Sequence, residues 1–80
     1  MLVEADPLQV TDIVFDYESL TGTIPSDLGL YQELSVLSLR GNHLTGSIPT
    51  EIASLQKLTN MDLGNNTIDG KIPTGLLVGT

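Results

Sequence analysis

The stretch "LSVLSLRGNHLTGSIPTEIASLQKL", residues 34–58, decides the fold. Its phrase "LTGSIP" (44–49) has near copies in "LTGTIP" (20–25) and "IDGKIP" (68–73), each 24 residues from the next. Aligning residues 20–43 with 44–67 gives nine identities in 24, among them Leu20/Leu44, Gly22/Gly46, Pro25/Pro49, Leu39/Leu63 and Asn42/Asn66. Ile68, Gly70, Ile72, Pro73 and Leu76 stay in phase, and Val10, Ile13 and Phe15 fall under Leu34, Leu37 and Leu39. The chain reads as a lead-in over residues 1–9 and a repeat array over 10–80, with units near 10–33, 34–57 and 58–80. A fixed period of this length marks a repeat architecture.

Within a unit, Leu37, Ser38, Leu39 and Arg40 alternate apolar and polar, which predicts a short strand with one buried face. A turn is expected at Gly46. Ile52, Leu55 and Leu58 recur every three residues, a spacing that suits a helical turn or 3₁₀ piece. Such a coil cannot bury its apolar side chains alone. Stacked coils bury them against one another, with the strands parallel and about 4.8 Å apart. The expected inward set is Leu34, Leu37, Leu39, Leu44, Ile48, Ile52, Leu55 and Leu58, with their phase mates such as Phe15 in the coils above and below, each worth roughly 1.5–3 kcal/mol on burial.

The pattern L-x-x-L-x-L-x-x-N-x-L-x-G-x-I-P, carried by residues 34–49 and continued by the leucines to Leu58, resembles the plant-type leucine-rich repeat. Repeats of this subclass occur in plant receptor-kinase ectodomains, receptor-like proteins and polygalacturonase-inhibiting proteins. The resemblance implies an α/β solenoid with a parallel sheet on its concave side, short 3₁₀ or helical turns and a minor second sheet. It also implies an extracellular or cell-surface location. Three departures stand out: Glu18 occupies the place of Asn42 and Asn66, the family's Cys- and Trp-bearing cap is missing, and the chain stops before a fourth strand. They predict an uncapped fragment of a longer array, low-melting in isolation.

The repeated polar and special residues read as structural. Asn42 and Asn66 follow the strand, where an amide with two donors and an acceptor oxygen can serve backbone groups of its own and the adjacent coil. Gly22, Gly46 and Gly70 permit a turn or a close coil-to-coil approach. Pro25, Pro49 and Pro73 suit the first turn of a short helix, where a missing N–H costs nothing.

The net charge is −7, and residues 1–33 hold seven acids and no base. Such a chain repels phosphate backbones, so nucleic acid is not an expected partner. The bland reading of the acidic end is a solvated face; the sharper one is a dock for a basic partner. No cysteine is present, which excludes disulfides and cysteine-based zinc sites. Apolar runs such as "IVF" (13–15) are far too short to span a membrane. "MLVEADP" (1–7) has no signal-peptide pattern, so a soluble chain is expected, with any targeting segment outside it.

Chemistry is sparse. "DLGNNTIDG" (62–70) superficially suggests a calcium loop, but Gly64 and Ile68 stand where oxygen ligands belong. His43, the single histidine, has no partners for catalysis. The sequence predicts neither an enzyme nor a cofactor or metal site. "NNT" (65–67) makes Asn65 an N-glycosylation acceptor if the chain is secreted.

Recognition is then expected from positions the repeat leaves free. On the strands these are the outward columns Asp12, Val36, Asn60; Val14, Ser38, Asp62; and Asp16, Arg40, Gly64, flanked by Tyr17 and Asn65. Three strands span only about 10 Å between the outer two, whereas a standard interface takes about 800 Å² from each partner. Three expectations follow from the residues and the resemblance together: a module that recognises a protein or peptide within a longer array, an inhibitor of a secreted polysaccharide-degrading enzyme, or a structural module that self-associates through its open ends.

Overall fold

In the computed structural model, which describes residues 6–69, the chain is a solenoid of stacked coils. Six strands are present among the described residues: β1 (Asp12–Val14), β2 (Thr21–Thr23), β3 (Val36–Ser38), β4 (His43–Gly46), β5 (Asn60–Asp62) and β6 (Thr67–Ile68). One 3₁₀ helix (Ser26–Leu30) follows β2 and another (Thr50–Ser54) follows β4. One parallel sheet runs β1-β3-β5 and a second runs β2-β4-β6. The expected short helical pieces are 3₁₀, five residues each.

The first sheet keeps the 24-residue phase: Ile13 lies beside Leu37, and Leu37 beside Met61. The strands end earlier than the apolar alternation suggests, at Ser38 rather than Arg40. Coil-to-coil bonding nevertheless continues past them, with Leu39 N–H donating to Asp62 O at 2.9 Å and Gly41 N–H to Gly64 O at 2.9 Å. The second sheet is sheared. Gly22 pairs with Leu44 and Thr45 with Thr67, an offset of 22 residues instead of 24. An even offset leaves every side chain on its own face.

Ile13, Ile24, Leu28, Tyr31, Leu34, Leu37, Leu39, Leu44, Ile52, Leu55, Leu58 and Met61 form the buried core. Tyr31 fills the place that Leu55 fills one coil on. Several expectations of inward burial need correction, since Val10, Leu20, Leu63 and Ile68 are half-buried against the core. Ile48 is half-buried against the core, not within it; its own phase mate, Ile72, lies outside the described residues. Phe15 is 38% exposed where Leu39 is fully buried, because β1 is the edge of its sheet and no described strand covers its other side.

The asparagine position ties the coils together. Asn42 Oδ1 accepts from the amides of Glu18 and Leu20, both at 3.0 Å. Its Nδ2 donates to the carbonyls of Phe15 at 2.9 Å and Leu39 at 2.8 Å, with Arg40 O at 3.3 Å. Asn66 repeats the arrangement one coil on, accepting from Leu44 N–H at 3.0 Å and donating to Leu39 O at 2.8 Å and Leu63 O at 3.1 Å. Glu18, the first-coil counterpart, is exposed, and an ionised carboxylate has no proton to donate.

Pro25 and Pro49 sit just before the 3₁₀ helices in extended backbone, with ψ 139° each, and not in the first turn. Their carbonyls accept the first helical bonds, from Leu28 and Ile52 at 3.2 Å. Gly46 is the last residue of β4 instead of a turn outside it. It and Gly22 adopt φ of 79° and 86°, a region a side chain disfavours. Gly70 and Pro73, like the end of the third unit and residues 1–5, lie outside the described residues. Gly46 also lies close to the preceding coil, where an added Cβ would stand 3.0 Å from Thr23 Cγ2, and a further close approach occurs at Gly29, where an added Cβ would stand 2.9 Å from the carbonyl oxygen of Glu51. No helix among the described residues is long and apolar enough to cross a membrane.

Candidate functional site: the outward face of the first sheet

Because strand side chains alternate, burying Ile13, Leu37 and Met61 turns their neighbours outward. Asp12, Val36 and Asn60 are in register across the sheet, and so are Val14, Ser38 and Asp62. Val36, Leu37, Ser38, Arg40, Asn60, Met61 and Asp62 line a depression of about 420 Å³. These are residues of one surface although they come from two different coils.

Half of that surface is occupied by its own side chains. Asp16 Oδ1 accepts from Ser38 Oγ at 2.7 Å and from the Arg40 amide at 2.9 Å. Asp62 Oδ1 accepts from the Gly64 amide at 2.9 Å and meets Arg40 Nη1 at 3.4 Å. Gly64 leaves the room for this: a Cβ there would fall on Arg40 Nη1. A hydrogen bond with Tyr17, and then the charge of Asp62, hold the Arg40 guanidinium more firmly protonated than usual. Since an unperturbed arginine is already charged below pH ~12, Arg40 is a fixed cation. The pair is 43% and 47% exposed on its two side chains, so it contributes little to stability.

Tyr17 rests on the next coil, where an added Cβ at Gly41 would fall on its Cδ1 and Cε1. Tyr17 has φ 55°, in phase with Gly41 at 73° and Asn65 at 54°. Glycine and asparagine accept that conformation readily, whereas a bulky side chain there is an outlier that costs on the order of 1–3 kcal/mol. Asn65 is exposed beside this edge.

The other half is open. Asp12, Val14 and Asn60 are exposed, and Val36 is half-buried. The outward columns expected from the sequence therefore share one face, but Asp16, Ser38 and Asp62 are tied into the fold. That tie has a weak sequence signal, since Asp16 and Ser38 differ by 22 residues, one coil less two. A second feature escaped the sequence reading: Thr11, Ser35 and Thr59 form a hydroxyl column beside the strands. Ser35 Oγ donates to Thr11 O, and Thr59 Oγ1 to Ser35 O, both at 3.3 Å. No group of three or more His, Cys, Asp or Glu among the described residues is placed to hold a metal ion.

The family model described as Leucine Rich Repeat matches residues 33–55 and 57–77. The chain belongs to the leucine-rich repeat family. Two solved structures similar to it are plant proteins, and its L-x-G-x-I-P repeat is of the plant type. One is a chain in the crystal structure of the BIR3–SERK2 complex from Arabidopsis thaliana, 31% identical, with a TM-score of 0.80 over 84% of this chain and 36% of that one. Another is the leucine-rich repeat ectodomain of the receptor kinase SOBIR1 from Arabidopsis thaliana, 30% identical, with a TM-score of 0.72 over 75% of this chain and 33% of that one. This leucine-rich repeat chain thus matches only about a third of the length of either neighbour. The comparison with curated proteins gives no match. Leucine-rich repeat domains generally act as non-catalytic protein-interaction modules, which agrees with a face built from polar and small apolar side chains.

Proposed function

We propose that the chain is a protein- or peptide-recognition module, part of a longer extracellular, receptor-like leucine-rich repeat array, and that it binds through the outward face of β1-β3-β5. The observation that carries this reading is the depression formed by Val36, Ser38, Arg40, Asn60 and Asp62, at positions whose identities change from coil to coil while the inward ones persist. The similarity to the ectodomain of a receptor kinase, and to a chain solved in a complex, supports it. Peptides selected on the chain from a random display library should lose affinity about tenfold, or ~1.4 kcal/mol, on Val36→Arg or Asn60→Arg. Gln56→Arg, on the return segment, should leave them unchanged. Peptides that bind all three variants alike contradict the reading.

Passage through a secretory pathway would expose the "NNT" sequon. Asn65 is exposed, while its neighbour Asn66 turns inward to the coil bonds. Asn65 therefore carries an N-linked glycan in this reading. Chain secreted from eukaryotic cells should lose mass on treatment with an N-glycosidase, and Asn65→Gln should abolish the shift. An unmodified secreted mass contradicts the assignment.

A further inference from the structure

The recognition face divides into two halves with different capacities. Toward the strand ends, Asp16, Ser38, Arg40, Asp62 and Gly64 satisfy one another. A ligand engaging that half must first break bonds already made. Toward the strand starts, Asp12 and Asn60 are exposed and make no side-chain hydrogen bond among the described residues, and Val14 and Val36 lie beside them. Val14 is 54% exposed, a large apolar side chain left on an unpartnered sheet face.

Charge selects the occupant. The face carries the carboxylates of Asp12, Asp16 and Asp62 against the single cation Arg40, which Asp62 already neutralises. The rest of the first coil adds Glu18 after β1 and no base near the face. Lys57, the other described cation, lies elsewhere and is held by Glu33 at 2.7 Å. An anionic segment would meet uncompensated like charge, whereas a cationic one meets a complementary field.

Resting on the recognition reading above, we propose that the open half binds an extended peptide that carries a lysine or arginine two residues from an apolar residue, so that both side chains face the sheet. The cation sits at Asp12. The apolar side chain packs on Val14 and Val36. The Asn60 amide, able to donate and accept, bonds the peptide backbone.

The test uses residues 1–80 and three capped nonapeptides Ser-Val-Ser-Xaa-Ser-Val-Ser-Xaa-Ser, with lysine, glutamate or serine at Xaa on the same face as valine, titrated while amide shifts are followed by NMR. The lysine peptide should bind tightest, shifting Asp12, Val36 and Asn60. Asp12→Asn should weaken it about two- to fivefold, the range of one exposed ion pair. Asp27→Asn, the same charge change on the first 3₁₀ helix, should not. Equal weakening by both variants, or equal binding of the serine or glutamate peptide, overturns the charge assignment while shifts confined to the sheet leave the recognition face standing. Shifts absent from the sheet with all three peptides overturn both.

Discussion

Replacing Asn42 with alanine is expected to destabilise the chain by about 3 kcal/mol, because four buried or part-buried backbone groups on two coils lose their partner at once. The amides of Glu18 and Leu20 lose an acceptor, and the carbonyls of Phe15 and Leu39 lose a donor. A domain of this size holds roughly 4–12 kcal/mol in total, so one side chain governs a large fraction of the folded population. Asn42→Asp separates the two roles. It keeps the acceptor oxygen and removes both donors, and should fall between wild type and alanine. Urea unfolding reads the effect as a lowered midpoint at constant slope. An Asn42→Ala midpoint within error of wild type contradicts the ladder.

The second large effect is expected at Leu39. Its side chain is fully buried between coils, and truncation to alanine there should cost about 3 kcal/mol, within the usual range for buried leucine. Phe15→Ala, one coil earlier in the same column, removes more atoms but should cost less than half as much. The ring is already 38% exposed, so less transfer energy is lost and the site can collapse or fill with water. Thermal unfolding of the two variants should rank them in that order. The reverse order would mean that Phe15 is covered in solution.

The architecture was legible because a 24-residue period converts sequence identity into spatial stacking. Leu37 over Ile13 and Asn66 over Asn42 follow directly from it. What the period could not convey were interactions that leave the phase. Asp16 looks like a free surface carboxylate in one dimension, and only the register of the coils reveals that it bonds Ser38 and the Arg40 amide. The shear of the second sheet, Gly22 beside Leu44, is hidden for the same reason: alignment fixes which residues are equivalent, not which ones pair. The close approach of Gly29 to Glu51 had no signal, since the phase mate of Gly29 is Ala53, which carries the Cβ that Gly29 lacks. Phe15 was misjudged because phase describes the interior of a stack and says nothing of its edge.

The candidate site was legible as a set of positions and not as a set of capacities. Alternation identified the outward residues, yet their chemistry depends on which are already bonded. Arg40, the side chain a charge-based reading would choose first, is engaged with Asp62. Asp12, unremarkable in sequence, is the exposed carboxylate left over. The phrase "LTGSIP" is accordingly a rule for building a coil, with Leu44 buried, Gly46 at a left-handed φ and Pro49 leading into the 3₁₀ helix.

The stacking of coils through the asparagine position is tested most directly by amide hydrogen exchange. Glu18 and Leu20 lie outside the strands, but their amides donate to Asn42 Oδ1. Both should exchange slowly in the wild type, near the rate of strand amides such as Leu37, and both should become fast in Asn42→Ala under conditions where the strand amides remain protected. Exchange of Glu18 and Leu20 at the unprotected rate in the wild-type chain would contradict the account.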